Sequence, residues 1–189
     1  LKLVPCFHEQ ACAIAAEAYY KTSGKVGVVL VTAGPGLSNI STGVLSAYVD
    51  RIPMIILSGQ AQSKYLKHSS LRIFGPQAVS AEKLFGNISK VLEINSQTKV
   101  NQINKFIKFQ DYADFGPKII QVPLDLQRMH INNSSKNIYN FVSIKKRTKD
   151  KDKLFKTLEK LIKESKRPSV LIGGGLRNDE GKEILKDFS

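Results

Sequence analysis

Three short runs of β-branched and aliphatic residues stand out from a polar background: Val26–Val31, Pro53–Leu57 and Lys118–Val122. Their apolar character is nearly continuous rather than alternating, which predicts parallel strands covered on both faces. Segments with helical spacing lie between them. His8–Thr22 is apolar almost all round, through Ala11, Cys12, Ala13, Ile14, Ala15, Ala16 and Ala18, and predicts a buried rather than amphipathic helix. Gly24 supplies its stop, and Glu17 and Lys21 are spaced for an i,i+4 ion pair. Leu37–Val49 predicts a second helix, after a loop at Thr32–Gly36. Gln77–Phe85 predicts a short helix and Lys90–Ile94 a further strand. Lys99–Tyr112 predicts a helix with Val100, Ile103, Phe106 and Ile107 on one face. Gly116–Pro117 then turns the chain into its last strand. Alternation of strand and helix implies a right-handed, parallel α/β sheet with helices on both faces.

Beyond Pro123 the texture changes. Residues 128–150 are polar, with Asn132, Asn133, Ser134 and Ser135 in succession, and read as a linker. Lys151–Lys166 predicts an amphipathic helix with Leu154, Leu158, Leu161 and Ile162 inward. Ser169–Ile172 predicts a strand that ends in Gly173, Gly174 and Gly175. The expected organisation is one domain over 1–127, a linker over 128–150, and the start of a second α/β domain over 151–189. The opening at Leu1 and the uncapped end at Glu183–Ser189 predict a piece cut from a longer protein.

Composition narrows the class. The chain has 189 residues, 42% hydrophobic and 24% charged, enough apolar content for a packed core. No apolar run approaches the roughly 20 residues of a membrane span. Cys6 and Cys12 lack CxxC spacing and read as reduced thiols, which predicts a cytoplasmic setting. The net charge of +13 raises a nucleic-acid reading. Much of it comes from Lys145–Arg167, where eleven lysines and arginines face four acids. No aromatic residues interleave with this run in an RNA-binding pattern, so a solvated linker and helix face is expected, and neither a nucleic-acid nor a membrane partner.

Candidate chemistry is sparse. Gly173-x-Gly175 after a strand has a dinucleotide-loop beginning, but the third glycine position holds Asn178, and a tight turn explains it. His8, His68 and His130 have no metal-ligand spacing. The loop Thr32-Ala33-Gly34-Pro35-Gly36 is more informative. It joins a buried strand to a helix at the carboxyl edge of the sheet, where α/β folds bind ligands. Its bare, stiff backbone suits a flat ring or a phosphate, although a plain turn would look the same. Glu9 opens an otherwise apolar helix. The helix dipole accounts for an acid there, yet desolvation would raise its pKa and suit it to proton transfer near neutral pH.

Together these pieces resemble a known family. His8-Glu9-Gln10-Ala11, Ala15-Ala16-Glu17-Ala18-Tyr19, Gly27-Val28-Val29-Leu30-Val31-Thr32 and Gly34-Pro35-Gly36-x-x-Asn39 follow in the order and spacing of the pyrimidine-binding domain of thiamine diphosphate-dependent enzymes. The likeness continues through Ala47-Tyr48-x-Asp50-x-Ile52-Pro53-Met54, Ser58-Gly59-Gln60, Gly116-Pro117 and Val122-Pro123-Leu124-Asp125-Leu126-Gln127. The branch it most resembles is that of acetolactate synthase.

The resemblance implies that Glu9 binds N1′ of the cofactor's aminopyrimidine and promotes the tautomer that activates thiazolium C2. It implies that Pro35 and Gly36 line the pyrimidine, that Asn39 begins the helix behind it, and that Gln60 reaches toward the active site. Phe74 and Gln77 would border the substrate. The substrates would be 2-oxo acids such as pyruvate, joined after loss of carbon dioxide. The diphosphate and its Mg2+ would be held by a region this chain lacks, and 1–127 would lack the domain's first strand and helix. FAD is bound by the central domain of some members. The parent would be a homodimer or tetramer with the cofactor at the subunit interface, and this piece alone would be inactive. Ala78, where many relatives carry an acid, departs from the pattern, as does the segment 80–90. A simple 2-oxo-acid decarboxylase or another lyase of the superfamily is the alternative. A non-catalytic binding subunit is a third reading, should the gene end at Ser189.

Overall fold

The computed structural model describes residues 2–66, 75, 77–110, 114–129, 151–169, 171, 173, 183 and 186. The chain divides into two units, Leu1–Lys145 and Lys146–Ser189.

The first unit is a four-stranded, wholly parallel sheet. Helix α1 (Glu9–Ser23) leads into β1 (Gly27–Val31), then α2 (Pro35–Asn39), α3 (Ser41–Val49) and β2 (Met54–Gln60). After α4 (Ser63–Leu66) and α5 (Ala81–Phe85) come β3 (Lys90–Glu93), α6 (Val100–Phe106), β4 (Pro117–Pro123) and α7 (Leu124–Gln127). The strand order is β1-β2-β4-β3. Register pairs Val29 with Ile56, Ile56 with Ile119, and Val91 with Ile119. The parallel α/β expectation therefore holds, and all four predicted strands of this unit form.

The core lies on one face of the sheet, where Val29, Val31, Met54, Ile56 and Ile119 meet Ala13, Ala16, Leu37, Ile40, Val44, Ala47, Ala81 and Phe85. Burying such side chains contributes roughly 1.5–3 kcal/mol for each large one. On the opposite face Phe106 and Phe109 pack around Lys118, but Val28 and Leu30 of β1 are 55% and 68% exposed. The expectation that β1 is covered on both faces fails among the described residues.

Helix α1 corrects another expectation. Only Ala13, Ala16 and Glu17 are buried, while Ile14 and Tyr19 are half exposed. Its alanines serve close approach on one side rather than burial all round. A Cβ on Gly27 would stand 2.5 Å from the Ala16 carbonyl oxygen, and one on Gly43 would stand 2.4 Å from the Ala13 Cβ. Contacts this tight admit only small residues. The predicted stop and ion pair are both present. Gly24 caps the helix at φ 68°, and Lys21 Nζ reaches Glu17 Oε1 at 2.5 Å. The same Glu17 oxygen accepts from Ser46 Oγ at 3.0 Å, and Lys21 also pairs with Asp50 at 2.7 Å, which ties α1 to α3.

Three further boundaries differ from expectation. The predicted Leu37–Val49 helix is broken at Ile40 into α2 and α3, and it starts earlier because Pro35 fits the first helical turn. Gln77–Ser80 is not helical. Gln77 sits at φ 57°, and the helix waits for Ser80, whose hydroxyl caps Lys83 N–H. Helix α6 ends at Phe106 instead of continuing to Tyr112, and Phe109 leaves it to become fully buried.

At the amino-terminal edge of the sheet Lys118 is buried, its side chain 4% exposed. Its ammonium donates to Asp114 Oδ2 at 2.8 Å and to the Lys108 carbonyl at 2.9 Å, and lies 4.2 Å from the centre of the Phe109 ring. Lys90 pairs with the other Asp114 oxygen.

In the second unit α8 (Lys151–Glu164) forms where predicted. Leu158, Leu161 and Ile162 are nevertheless substantially exposed among the described residues, so the expected inward face is not covered there. The Leu154 side chain, most of the predicted linker and the greater part of Ser169–Gly175 lie outside what the structure describes. No described helix is long and apolar enough to cross a membrane.

Candidate active site

The carboxyl edge of β1 and the start of α1 meet because α1 runs back along β1. This places Glu9, first residue of α1, beside the loop that leaves β1. His8 caps the helix, its Nδ1 accepting from Gln10 N–H at 3.1 Å. Gly34 enters α2 at φ 65°, ψ −118°, a conformation open to glycine. A Cβ there would also stand 2.8 Å from the Cβ of Gln77.

Glu9 and Asn39, thirty residues apart, are joined. Asn39 Nδ2 donates to Glu9 Oε2 at 3.1 Å. The other carboxylate oxygen, Oε1, lies 3.5 Å from where a Cβ on Gly36 would stand, and the Thr32 methyl closes the same space at 2.6 Å. The Asn39 amide holds the Glu9 carboxyl below its ordinary pKa, aided by the backbone N–H of Glu9 itself. This overturns the expected upward shift. Burial pushes the group up too weakly to outweigh the hydrogen bond, because Glu9 is only half-buried. Asn39 also closes α2 rather than beginning a helix.

Glu9, Pro35, Gly36 and Asn39 thus form one cluster. Gln60 stands apart from it. It is buried, and its side chain is spent on backbone, Nε2 donating to the Val79 carbonyl at 2.8 Å and Oε1 accepting from Ala61 N–H at 2.8 Å. Gln77 comes close only by pressing on Gly34. Phe74 lies outside the described residues. Sequence reasoning passed over Gln121, which is 1% exposed on β4. Its signal was a lone amide inside the apolar run Lys118–Val122.

The site's chemistry fits an aminopyrimidine. An ionised carboxylate presents an acceptor oxygen toward bare backbone, and a neighbouring amide fixes its second oxygen. Among the described residues no group of three His, Cys, Asp or Glu is placed to hold a metal. Cys6 and Cys12 are free thiols, and burial pushes that of Cys12 up.

A parallel α/β domain with a carboxylate over a glycine-lined turn at its carboxyl edge has the arrangement at which α/β folds bind ligands. Residues 1–81 match the family described as thiamine pyrophosphate enzyme, N-terminal TPP binding domain, and the chain is similar along its length to acetolactate synthase large subunits. It is 34% identical over 185 residues to the probable acetolactate synthase large subunit of Methanococcus aeolicus, covering 95% of this chain and 30% of that protein. It is 31% identical to the acetolactate synthase large subunit of Lactococcus lactis, covering 96% and 31%, and 29% identical to that of Buchnera aphidicola, covering 96% and 32%. The chain therefore spans about a third of the length of the curated relatives it matches.

Proposed function

We propose that this chain is the pyrimidine-binding part of a thiamine diphosphate-dependent, acetolactate synthase-like carboligase acting on 2-oxo acids such as pyruvate. The observation that carries the reading is the Glu9 carboxylate, tied through one oxygen to Asn39 and facing bare Gly36 with the other. When bound, thiamine diphosphate supplies the electron sink that lets a 2-oxo acid lose carbon dioxide.

The chain's own residues then have defined tasks. Glu9, ionised at neutral pH, accepts a charge-assisted hydrogen bond from a ring N–H and so favours the protonated pyrimidine. Asn39 orients that carboxylate. Pro35 and Gly36 form a stiff wall on which a flat ring can lie. Gln60 holds backbone at the same edge, and Phe74 and Gln77 border the substrate. In this reading Mg2+ and the diphosphate are held by a region outside the chain. The central domain that opens at 151 is the one with which some members of the family bind FAD. The whole protein is a cytoplasmic homodimer or tetramer with the cofactor between subunits.

The test is Glu9→Gln in the complete protein. The amide cannot take the proton, so exchange of the cofactor's C2 proton should be abolished while the circular dichroism spectrum is unchanged. Undiminished exchange would remove Glu9 from this role. Product analysis with pyruvate checks the reaction class: acetolactate is expected, and acetaldehyde alone would make the protein a decarboxylase.

A further inference from the structure

Two buried glutamines converge on one carbonyl. Gln60 Nε2 donates to the Val79 oxygen at 2.8 Å, and Gln121 Nε2 donates to the same oxygen at 2.6 Å. The remaining amide oxygens are also used, Gln121 Oε1 accepting from Ala81 N–H at 3.0 Å and Gln60 Oε1 from Ala61 N–H at 2.8 Å. The two side chains come from adjacent strands, β2 and β4, whose register places Ser58 opposite Gln121 and Gln60 opposite Pro123. They are 6% and 1% exposed. Burying two primary amides is costly unless every donor and acceptor is satisfied, and here the partners are the backbone of a single segment, 79–81, and of Ala61.

What that segment carries gives the arrangement its meaning. Two residues upstream of Val79, Gln77 is held at φ 57°, a left-handed conformation that costs a non-glycine residue energy. Its Cβ and carbonyl oxygen stand 2.8 and 2.9 Å from where a Cβ on Gly34 would be. Gly34 begins the turn that carries Pro35 and Gly36 beneath Glu9. A continuous physical path therefore runs from Gln121 through Val79 and Gln77 to Gly34 and Gly36.

We propose that Gln121 is a positioning residue for the cofactor half-site: with Gln60 it clamps segment 79–81, so that Gln77 backs the Gly34 turn and fixes the height of Gly36 under the Glu9 carboxylate. Ala81 N–H donates to Gln121 Oε1, so its exchange reports on the clamp. The proposal rests on the functional reading above, but its test reads the loop itself and needs no turnover.

The experiment compares Gln121→Leu, Gln121→Glu and a core control on the same strand, Ile120→Val, in the full chain by amide NMR and hydrogen exchange. Gln121→Leu should move the Gly34 and Gly36 amide resonances by more than their linewidths and speed Ala81 exchange about tenfold. Gln121→Glu keeps the acceptor for Ala81 N–H and loses the donor to Val79, so it should restore Ala81 protection while leaving Gly34 displaced. Ile120→Val should move neither glycine. Unmoved Gly34 and Gly36 in a folded Gln121→Leu protein would overturn the proposal, as would equal movement in the Ile120→Val control. Should Gln121→Leu fail to fold, Gly34 in Gln121→Glu decides the question alone. Neither result depends on whether Glu9→Gln abolishes C2 proton exchange, so this inference and the functional reading can fail separately.

Discussion

The two edges of the sheet treat their carboxylates in opposite ways. At the amino edge Asp114 is enclosed by two lysines, and one of them, Lys118, is itself buried against Phe109. Burial alone pushes Asp114 up, but the lysines outweigh it and hold its carboxyl below the usual aspartate range. Burial likewise pulls the Lys118 pKa down while Asp114 resists the change. At the carboxyl edge Glu9 is half-buried, and its carboxylate is held by the neutral Asn39 amide and its own backbone N–H. A charge whose partners are complete serves the fold. A charge held by amide N–H donors beside bare backbone is available to a ligand.

The largest test of that contrast is Asp114→Asn. It leaves the Lys118 ammonium buried without its counter-charge, and removal of one partner from a buried pair costs about 3 kcal/mol. Urea unfolding should show the loss, and a change below the error of the extrapolation would break the contrast. The pH dependence follows from the same pair. The native carboxyl of Asp114 has a lowered pKa, so its stabilisation is fully present above the ordinary aspartate range. It is lost as pH falls through the lower native value, and the variant should lack that acid limb.

Next in size is Gly36→Ala. The new methyl meets the Thr32 Cγ2 at 2.6 Å. Because Thr32 is exposed and can turn, the cost should be about 1 kcal/mol, the low end for overpacking. Adding Thr32→Ser, which removes the opposing methyl, should recover it. A loss in thermal stability that Thr32→Ser leaves uncorrected would mean that the turn is closed by something else.

The smallest effect on stability is expected for Asn39→Ala. The pair is exposed, so unfolding free energy should change by less than about 0.5 kcal/mol. The Glu9 titration, followed by carboxyl-carbon NMR, should rise toward the ordinary glutamate value. An unmoved midpoint would remove Asn39 as the residue that sets it.

Much of the architecture is legible in the chain. Continuous apolar runs announced β1, β2 and β4, and the Gly-Pro-Gly turn announced the ligand edge, because strand burial and backbone freedom are local properties of sequence. The misreadings have a shared cause. An alanine-rich helix looks buried all round, but α1 uses its small residues to approach Gly27 and Gly43 on one side. The polar residue that opens such a helix looks desolvated, but Glu9, where the helix begins, is only half-buried. Gln121 was visible as a polar interruption of an apolar strand, yet nothing local identifies its partners at Val79 and Ala81.

The sequence by itself determined which residues could form parallel strands, where the chain must turn, and which acid stands at the head of the first helix. These follow from side-chain branching, glycine and proline geometry, and spacing along the chain. Only the tertiary structure decided that Asn39 meets Glu9 across thirty residues, that Gln60 and Gln121 share one carbonyl, and that Asp114 neutralises Lys118. The first two are contacts between elements distant in sequence, fixed by strand order and register, while Asp114 and Lys118 stand four residues apart and meet where the chain turns into β4. Hydrogen-bond and ion-pair partners are chosen by that proximity in space.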